Sequence, residues 1–346
     1  MAYKVIDLHC DSVFHLIEGK DLLQAVKGAH VDLPRLKSGN VGLQVFAAYV
    51  PPDTEIDEAF LCATNTLDLI DAFARSNDSL APVENASELK TILNSDKIGI
   101  MAAIENALAI EESIDKLEKL RRRNVRIITL VHSQHMSWIE SCTGQGDFKA
   151  DNGRALGSFG EKVLDAMNDI GIIPDVSHSS ENAFWDIIKR SKKPVIASHS
   201  CAYEICAARR NLKDDQLKAL GDTGGLVGIN FAPSFLSDPY RKAFDERFKM
   251  GSSISMSEMI AVASEIPVTV PQSIIADHID HIVNIAGEDC VAMGSDFDGI
   301  PSTPEGVSGC DFFPVLEDEL RKRGYSEKRI EKIFNRNFLR VLEEWG

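Results

Sequence analysis

Basic residues are scarce in this 346-residue chain: 37 lysines and arginines stand against 53 aspartates and glutamates, a formal net charge of −16. A field of that sign repels phosphate backbones and anionic lipid, which argues against nucleic-acid and membrane-surface partners. No apolar run approaches the roughly 20 residues that span a bilayer. The N-terminus, MAYKVIDLHCDS, lacks the apolar core and cleavage site of a secretory signal, and the C-terminal FNRNFLRVLEEWG reads as an amphipathic helix without an anchor signal. The seven cysteines are an odd number without a CxxC pair, and several sit in apolar runs as free core thiols do. A cytoplasmic location is the resulting expectation. No GxGxxG loop follows the first apolar run and no GxSxG elbow occurs, so neither a dinucleotide site nor a serine nucleophile is signalled.

Against these absences stands an ordinary globular composition, 44% hydrophobic and 26% charged, ample for a sizeable core. Eight short apolar, β-branched runs recur at 5–11, 43–50, 98–105, 125–132, 172–178, 194–200, 225–231 and 290–296. Helical patterns lie between them, for example over 114–123, 159–170, 183–190, 213–220 and 274–285. This alternation predicts a parallel α/β architecture, and eight units fit a closed (β/α)8 TIM-type barrel spanning 1–346 as one domain. A doubly wound open sheet is the rival. The longest departure, 232–272, is expected to be a lid or insertion.

Barrel enzymes build their sites at the C-terminal ends of the strands. Here the predicted strands end in His9-Cys10-Asp11, Glu105-Asn106, His132, His178, His199, and Asp296 with Asp298. Strict alternation would turn Val5, Asp7, His9 and Asp11 inward, and Ile6, Leu8 and Cys10 toward the helices. His-x-Asp alone arises by chance, and a satisfied polar pair in the core would explain it. His178 and His199 are 21 residues apart, about one β/α unit, so they land on the same rim. Glu105 ends an apolar strand, where a lone carboxylate is costly unless a metal or a buried cation meets it. Taken together these residues predict a metal centre. Imidazole and carboxylate suit zinc, and also iron, manganese or nickel. His9 and Asp11 are expected on one ion and His178 and His199 on a second, with Glu105 bridging. A shared, acidified water would be the nucleophile.

Four stretches, IDLHCDS, ASHSCAYEICAARRN (197–211), ADHIDHI (276–282) and GSDFDGIP (294–301), give the chain a recognisable pattern, and the tail EKIFNRNFLRVLEE extends it. The chain resembles the renal, or membrane, dipeptidase family of zinc peptidases, a branch of the amidohydrolase superfamily. That resemblance implies hydrolysis of dipeptides with two zinc ions per chain on His9, Asp11, Glu105, His178 and His199. It also implies that His132 stabilises the tetrahedral intermediate, that Arg210 grips the substrate carboxylate, and that Asp296 takes and returns a proton. A planar guanidinium suits a carboxylate, and a donor aimed at an oxyanion is usually a large catalytic term.

His135 reads as a bystander, Asp298 as holding the turn, and the helical His278, Asp280 and His281 as structural or as residues backing the metal ligands. Trp138 and Trp185 read as packing or rim aromatics. Homodimerisation is a family-level expectation. The rivals are a related hydrolase of another small amide, N-acyl amino acid or lactone, and a binding protein without turnover. The pattern departs from the family at Glu105-Asn106-Ala107, where the mammalian branch has Glu-Gly-Gly, and over Ser133 to Met136.

Overall fold

The computed structural model describes residues 3–144, 148–247 and 256–346. Nine parallel strands run through them: β1 (Val5–Cys10), β2 (Val41–Tyr49), β3 (Leu80–Pro82), β4 (Ile98–Glu105), β5 (Ile127–Thr129), β6 (Ile173–Asp175), β7 (Ile196–Ser200), β8 (Leu226–Ile229) and β9 (Val291–Met293). The hydrogen-bonded order is β2-β1-β9-β8-β7-β6-β5-β4, and β2 also pairs with β4, which closes an eight-stranded barrel. The short β3, absent from the sequence reading, lies along the start of β4 with Leu80 opposite Ile98. Three residues ending in proline carry too little alternation to be read as a strand.

Helices surround the barrel close to where the periodicity predicts them. Helix Ile114–Arg122 begins where the Ser113 side chain accepts the Lys116 N–H, and it ends on Lys119, Arg121 and Arg122, complementing its dipole. Helix Glu181–Arg190, two units further on, is capped in the same way by Ser180. The inward residues nearest the strand starts, including Leu43, Met101, Ile127, Ile173, Ile196, Leu226 and Ala292, form one buried cluster. Phe338, Leu339, Leu342 and Trp345 of helix Asn337–Trp345 join that cluster and stopper the N-terminal mouth. The opposite mouth is left for chemistry.

Within 232–272 three helices are described, Pro233–Leu236, Asp238–Arg247 and Met256–Ser264; residues 248–255 of the expected insertion lie outside the described residues. Tyr240, Phe244, Ala263 and Val270 give this segment a small cluster of its own.

The alternation expected for β1 needs correction. Ile6 and Leu8 pack with the inward cluster, whereas Val5 and Cys10 belong to the outer core. Asp7 therefore faces outward, where its carboxylate accepts from Gln44 Nε2 at 3.0 Å and Ser295 Oγ at 2.6 Å. Between Asp7 and Cys10 the strand carries one residue more than its β2 partner, a bulge that swings His9 back into the barrel.

His278 is wholly buried and structural, as expected. Its Nδ1 accepts the Ala202 N–H at 3.1 Å, so Nε2 carries the proton toward the Leu236 carbonyl at 3.0 Å. Burial lowers its pKa to about 4, against roughly 6.5 in an unfolded chain. A depressed histidine contributes stability that is complete above the unfolded value and lost as pH falls through the folded one. The loss here is about 3 kcal/mol between roughly pH 6.5 and 4. His278→Gln is expected to lower the melting temperature at neutral pH but to flatten its fall over that window; an equally steep fall would exclude His278 as a source of the acid sensitivity.

Candidate metal centre and active site

The C-terminal mouth gathers His9, Asp11, Glu105, His199, Arg210 and Asp296, each less than a tenth exposed, with His132 and His178 partly buried beside them. Glu105 is the hub. Its Oε1 lies 3.2 Å from His178 Nε2, 3.6 Å from His132 Nε2 and 3.7 Å from His199 Nε2, while Oε2 lies 3.7 Å from His9 Nε2. His9 Nε2 also stands 3.5 Å from Asp11 Oδ2 and 3.8 Å from Asp296 Oδ1. His178 and His199 bring their Nε2 atoms within 3.1 Å of each other. Three overlapping groups have the spacing of a cation site: His9 with Asp11 and Asp296, His9 with Glu105 and His199, and Glu105 with His132 and His178.

Most of these separations are too long for direct hydrogen bonds, and His9 Nε2 is buried without a partner. Ligand atoms around one tetrahedral zinc stand roughly 3.3 Å apart. The orphaned His9 nitrogen, the clustered carboxylates and that spacing all fit a divalent metal, and zinc in particular suits the mixed nitrogen and oxygen donors.

Burial and the crowding of charges shift the ionisation of these groups. Burial raises the Glu105 pKa far above the carboxylate range; His9 opposes this, and Asp11 and Asp296 add to it. Burial alone would depress His9, yet the Glu105, Asp11 and Asp296 carboxylates carry it up to about 10. Burial and Arg210 depress His132 to about 3 and hold His178 well below the usual range. Burial raises Asp296 to about 7, with Asp11 adding to the rise and His9 and Asn230 opposing it.

Local backbone builds this geometry. His178 and Asp296 hold φ values of 69° and 62°, and Asn106 holds 82°, a region that non-glycine residues enter at a cost. Asparagine, aspartate and histidine enter positive φ more readily than other non-glycine residues. Asn106 is held there by donating to the Val50 carbonyl at 2.9 Å and accepting the Leu108 N–H. Asp298, the expected turn-holder, accepts from Ser12 Oγ at 2.5 Å and from the His30 N–H at 2.8 Å. Its loop is thereby tied to the segment after β1. A Cβ on Gly299 would overlap the Asp11 and Asp296 carboxylates.

Arg210 donates Nη1 to Ser200 Oγ at 3.2 Å and Nη2 to the His199 carbonyl at 2.9 Å, while its buried Nε has no partner. His135 is engaged away from the centre, accepting the Ser141 N–H at 3.0 Å. Trp138 packs on Phe159 and walls a cavity of about 230 Å³ with Pro52, Ile56, Asn106 and Met136. Two residues beside His132 and Asp296 are among those that escaped the sequence reading. Asn230, after β8, donates to Asp296 Oδ2 at 2.8 Å, and Tyr49, ending β2, sets its ring edge-on to His132 at 4.9 Å. Both sit at strand ends, the signal that located the others.

A closed parallel barrel with imidazoles and carboxylates massed at its C-terminal mouth is an arrangement used by metal-dependent barrel enzymes. The chain belongs to the membrane dipeptidase family, peptidase family M19, whose profile matches residues 1–345. It is 29% identical over 313 residues to dipeptidase 3 of Mus musculus and 30% over 312 residues to dipeptidase 3 of Rattus norvegicus. These alignments cover 90% of this chain but 57% and 58% of the relatives, so the chain spans little more than half their length. The crystal structure of a family M19 metallopeptidase, dipeptidase AC, superposes with a TM-score of 0.84 at 26% identity, covering 100% of both chains. A Rhodobacter sphaeroides metallopeptidase liganded with a phosphinate mimic of L-Ala-D-Ala shares the fold, with a TM-score of 0.84 at 24% identity over 99% of each chain. No helix among the described residues is long and apolar enough to cross a membrane.

Proposed function

We propose that this chain is a metal-dependent dipeptidase holding two zinc ions on His9, Asp11, Glu105, His178 and His199, with Glu105 shared. The observation that carries the reading is the convergence of four imidazole Nε2 atoms on one buried carboxylate, three of them at spacings longer than hydrogen bonds and suited to an intervening cation. When bound, the two ions would polarise the scissile carbonyl and lower the pKa of a shared water toward neutrality.

The rest falls to side chains. Asn230 occupies Asp296 Oδ2, leaving Oδ1 to take the proton of the attacking water and return it to the departing amine. His132, kept neutral by burial, gives its one ring proton to the developing oxyanion. The unpartnered Nε of Arg210 and the remaining guanidinium protons receive the substrate's carboxylate. Recognition of that carboxylate restricts the site to short substrates. All seven cysteines are unpaired, which suits a reducing compartment such as the cytoplasm. The helices of 232–272 serve as a lid, and a homodimer is the assembly proposed.

Arg210→Met is expected to raise KM for dipeptides by roughly a hundredfold, the loss of a charged hydrogen-bonded contact, with a smaller change in kcat. An unchanged KM would assign the carboxylate to another group.

The test of the whole reading is metal analysis of the purified protein with a substrate panel before and after chelation. The panel includes L-Ala-D-Ala, its L,L counterpart and N-acetylated versions of each. Two zinc per chain, and dipeptide cleavage lost on chelation and restored by zinc, support it. Cleavage of blocked amides in preference to free dipeptides moves the substrate to the wider amidohydrolase class. No metal and no turnover after zinc addition refute it.

A further inference from the structure

Ser198 and His199 are consecutive in β7, yet both face the barrel interior. Regular alternation would send one of them outward. Between Ala197 and Ser200, however, β7 has one residue more than β8, and this irregularity admits both. Gly228 and Gly294 make room for it, since a Cβ on either would collide with the Ser198 carbonyl oxygen.

The Ser198 hydroxyl lies 2.7 Å from His199 Nδ1 and 2.5 Å from Asp175 Oδ2. Asp175 is wholly buried and gathers four donors. The Ser177 and Ser198 N–H groups reach Oδ1 at 2.9 and 2.8 Å, and the Thr129 and Ser198 hydroxyls both reach Oδ2 at 2.5 Å. A serine hydroxyl has one proton to give, and a carboxylate can only accept it. Ser198 therefore donates to Asp175 and must accept from His199. That places the imidazole proton on Nδ1 and leaves the lone pair on Nε2, the atom 3.1 Å from His178 Nε2 and 3.7 Å from Glu105 Oε1.

We propose that Ser198 and Asp175 are positioning residues that lock His199 in its Nδ1–H tautomer, so that Nε2 meets a metal ion without prior rearrangement. The purpose of the lock rests on the metal-centre reading above; the tautomer itself is a property of the metal-free chain. Partners of this kind behind a ligating histidine commonly contribute ten- to a hundredfold in metal affinity.

The test has two independent readouts. The first is ring-nitrogen NMR of metal-free, histidine-labelled protein, with His199 assigned from its loss in His199→Gln. The second is zinc affinity by chelator competition. The unaltered chain should carry the His199 proton on Nδ1. Ser198→Ala and Asp175→Asn should each shift it toward Nε2 and weaken zinc binding roughly ten- to a hundredfold. Asp175→Asn keeps the side chain's shape, which serves should Ser198→Ala fail to fold. A proton on Nε2 in the unaltered chain overturns the proposal, as do variants with unchanged tautomer and unchanged zinc affinity. The expected tautomer without zinc binding would refute the metal-centre reading and deprive the lock of its function.

Discussion

Glu105→Gln is expected to strip the centre of zinc and reduce turnover by a factor of roughly a thousand or more. Four histidine nitrogens approach this one carboxylate within 3.2–3.7 Å. A glutamine keeps the shape but offers only a neutral oxygen, with an N–H₂ turned toward at least one imidazole. Loss of the shared anion removes a ligand from both proposed ions at once, which no other single substitution here would do. The fold should survive, because the apolar cluster that stoppers the barrel lies at the opposite mouth. Metal analysis and melting of the metal-free variant separate the two effects. A variant that melts normally and retains two zinc ions would contradict the bridging role of Glu105.

Asp296→Asn is expected to act on the rate alone, lowering kcat by roughly 10²–10⁴ with zinc content and KM close to those of the unaltered chain. Asn230 donates to Oδ2, so the amide of the variant would keep its oxygen there and turn its nitrogen toward His9. A group that took a proton becomes one that offers two. Asp296 Oδ1 also lies in a possible cation group with His9 and Asp11. The competing role therefore has its own signature: loss of about one zinc per chain on substitution would make Asp296 a ligand instead of a proton carrier.

The barrel was legible because its strands are buried on both sides and read as short apolar runs between amphipathic helices. The strand ends were legible because chemistry on this architecture gathers at one mouth, and His9, Glu105, His132, His178, His199 and Asp296 all lie there. What the residues did not disclose is backbone irregularity. The inward placement of Asp7 assumed a period of two through β1, and the bulge before Cys10 breaks it. Ser198 was hidden for the same reason, since alternation would not set it beside His199 on the inner face. Asp175 carries no signal of its own, because its role depends on a serine one strand away. Tyr49 ends β2 and Asn230 directly follows β8, and reading all eight ends alike would have found them.

The bulges in β1 and β7 have a bearing on anyone wishing to rebuild this centre elsewhere. They lie in the two strands that carry His9 and His199, whose rings approach to 3.9 Å. An idealised barrel with uniform ladders, the scaffold most readily designed, would seat Leu8 or His9 inside, but not both, and Ser198 or His199, but not both. Copying the liganding residues onto such a scaffold would yield a plausible sequence and a misaimed pair of imidazoles. The portable unit is the side chain together with its extra backbone residue and the glycines across from it.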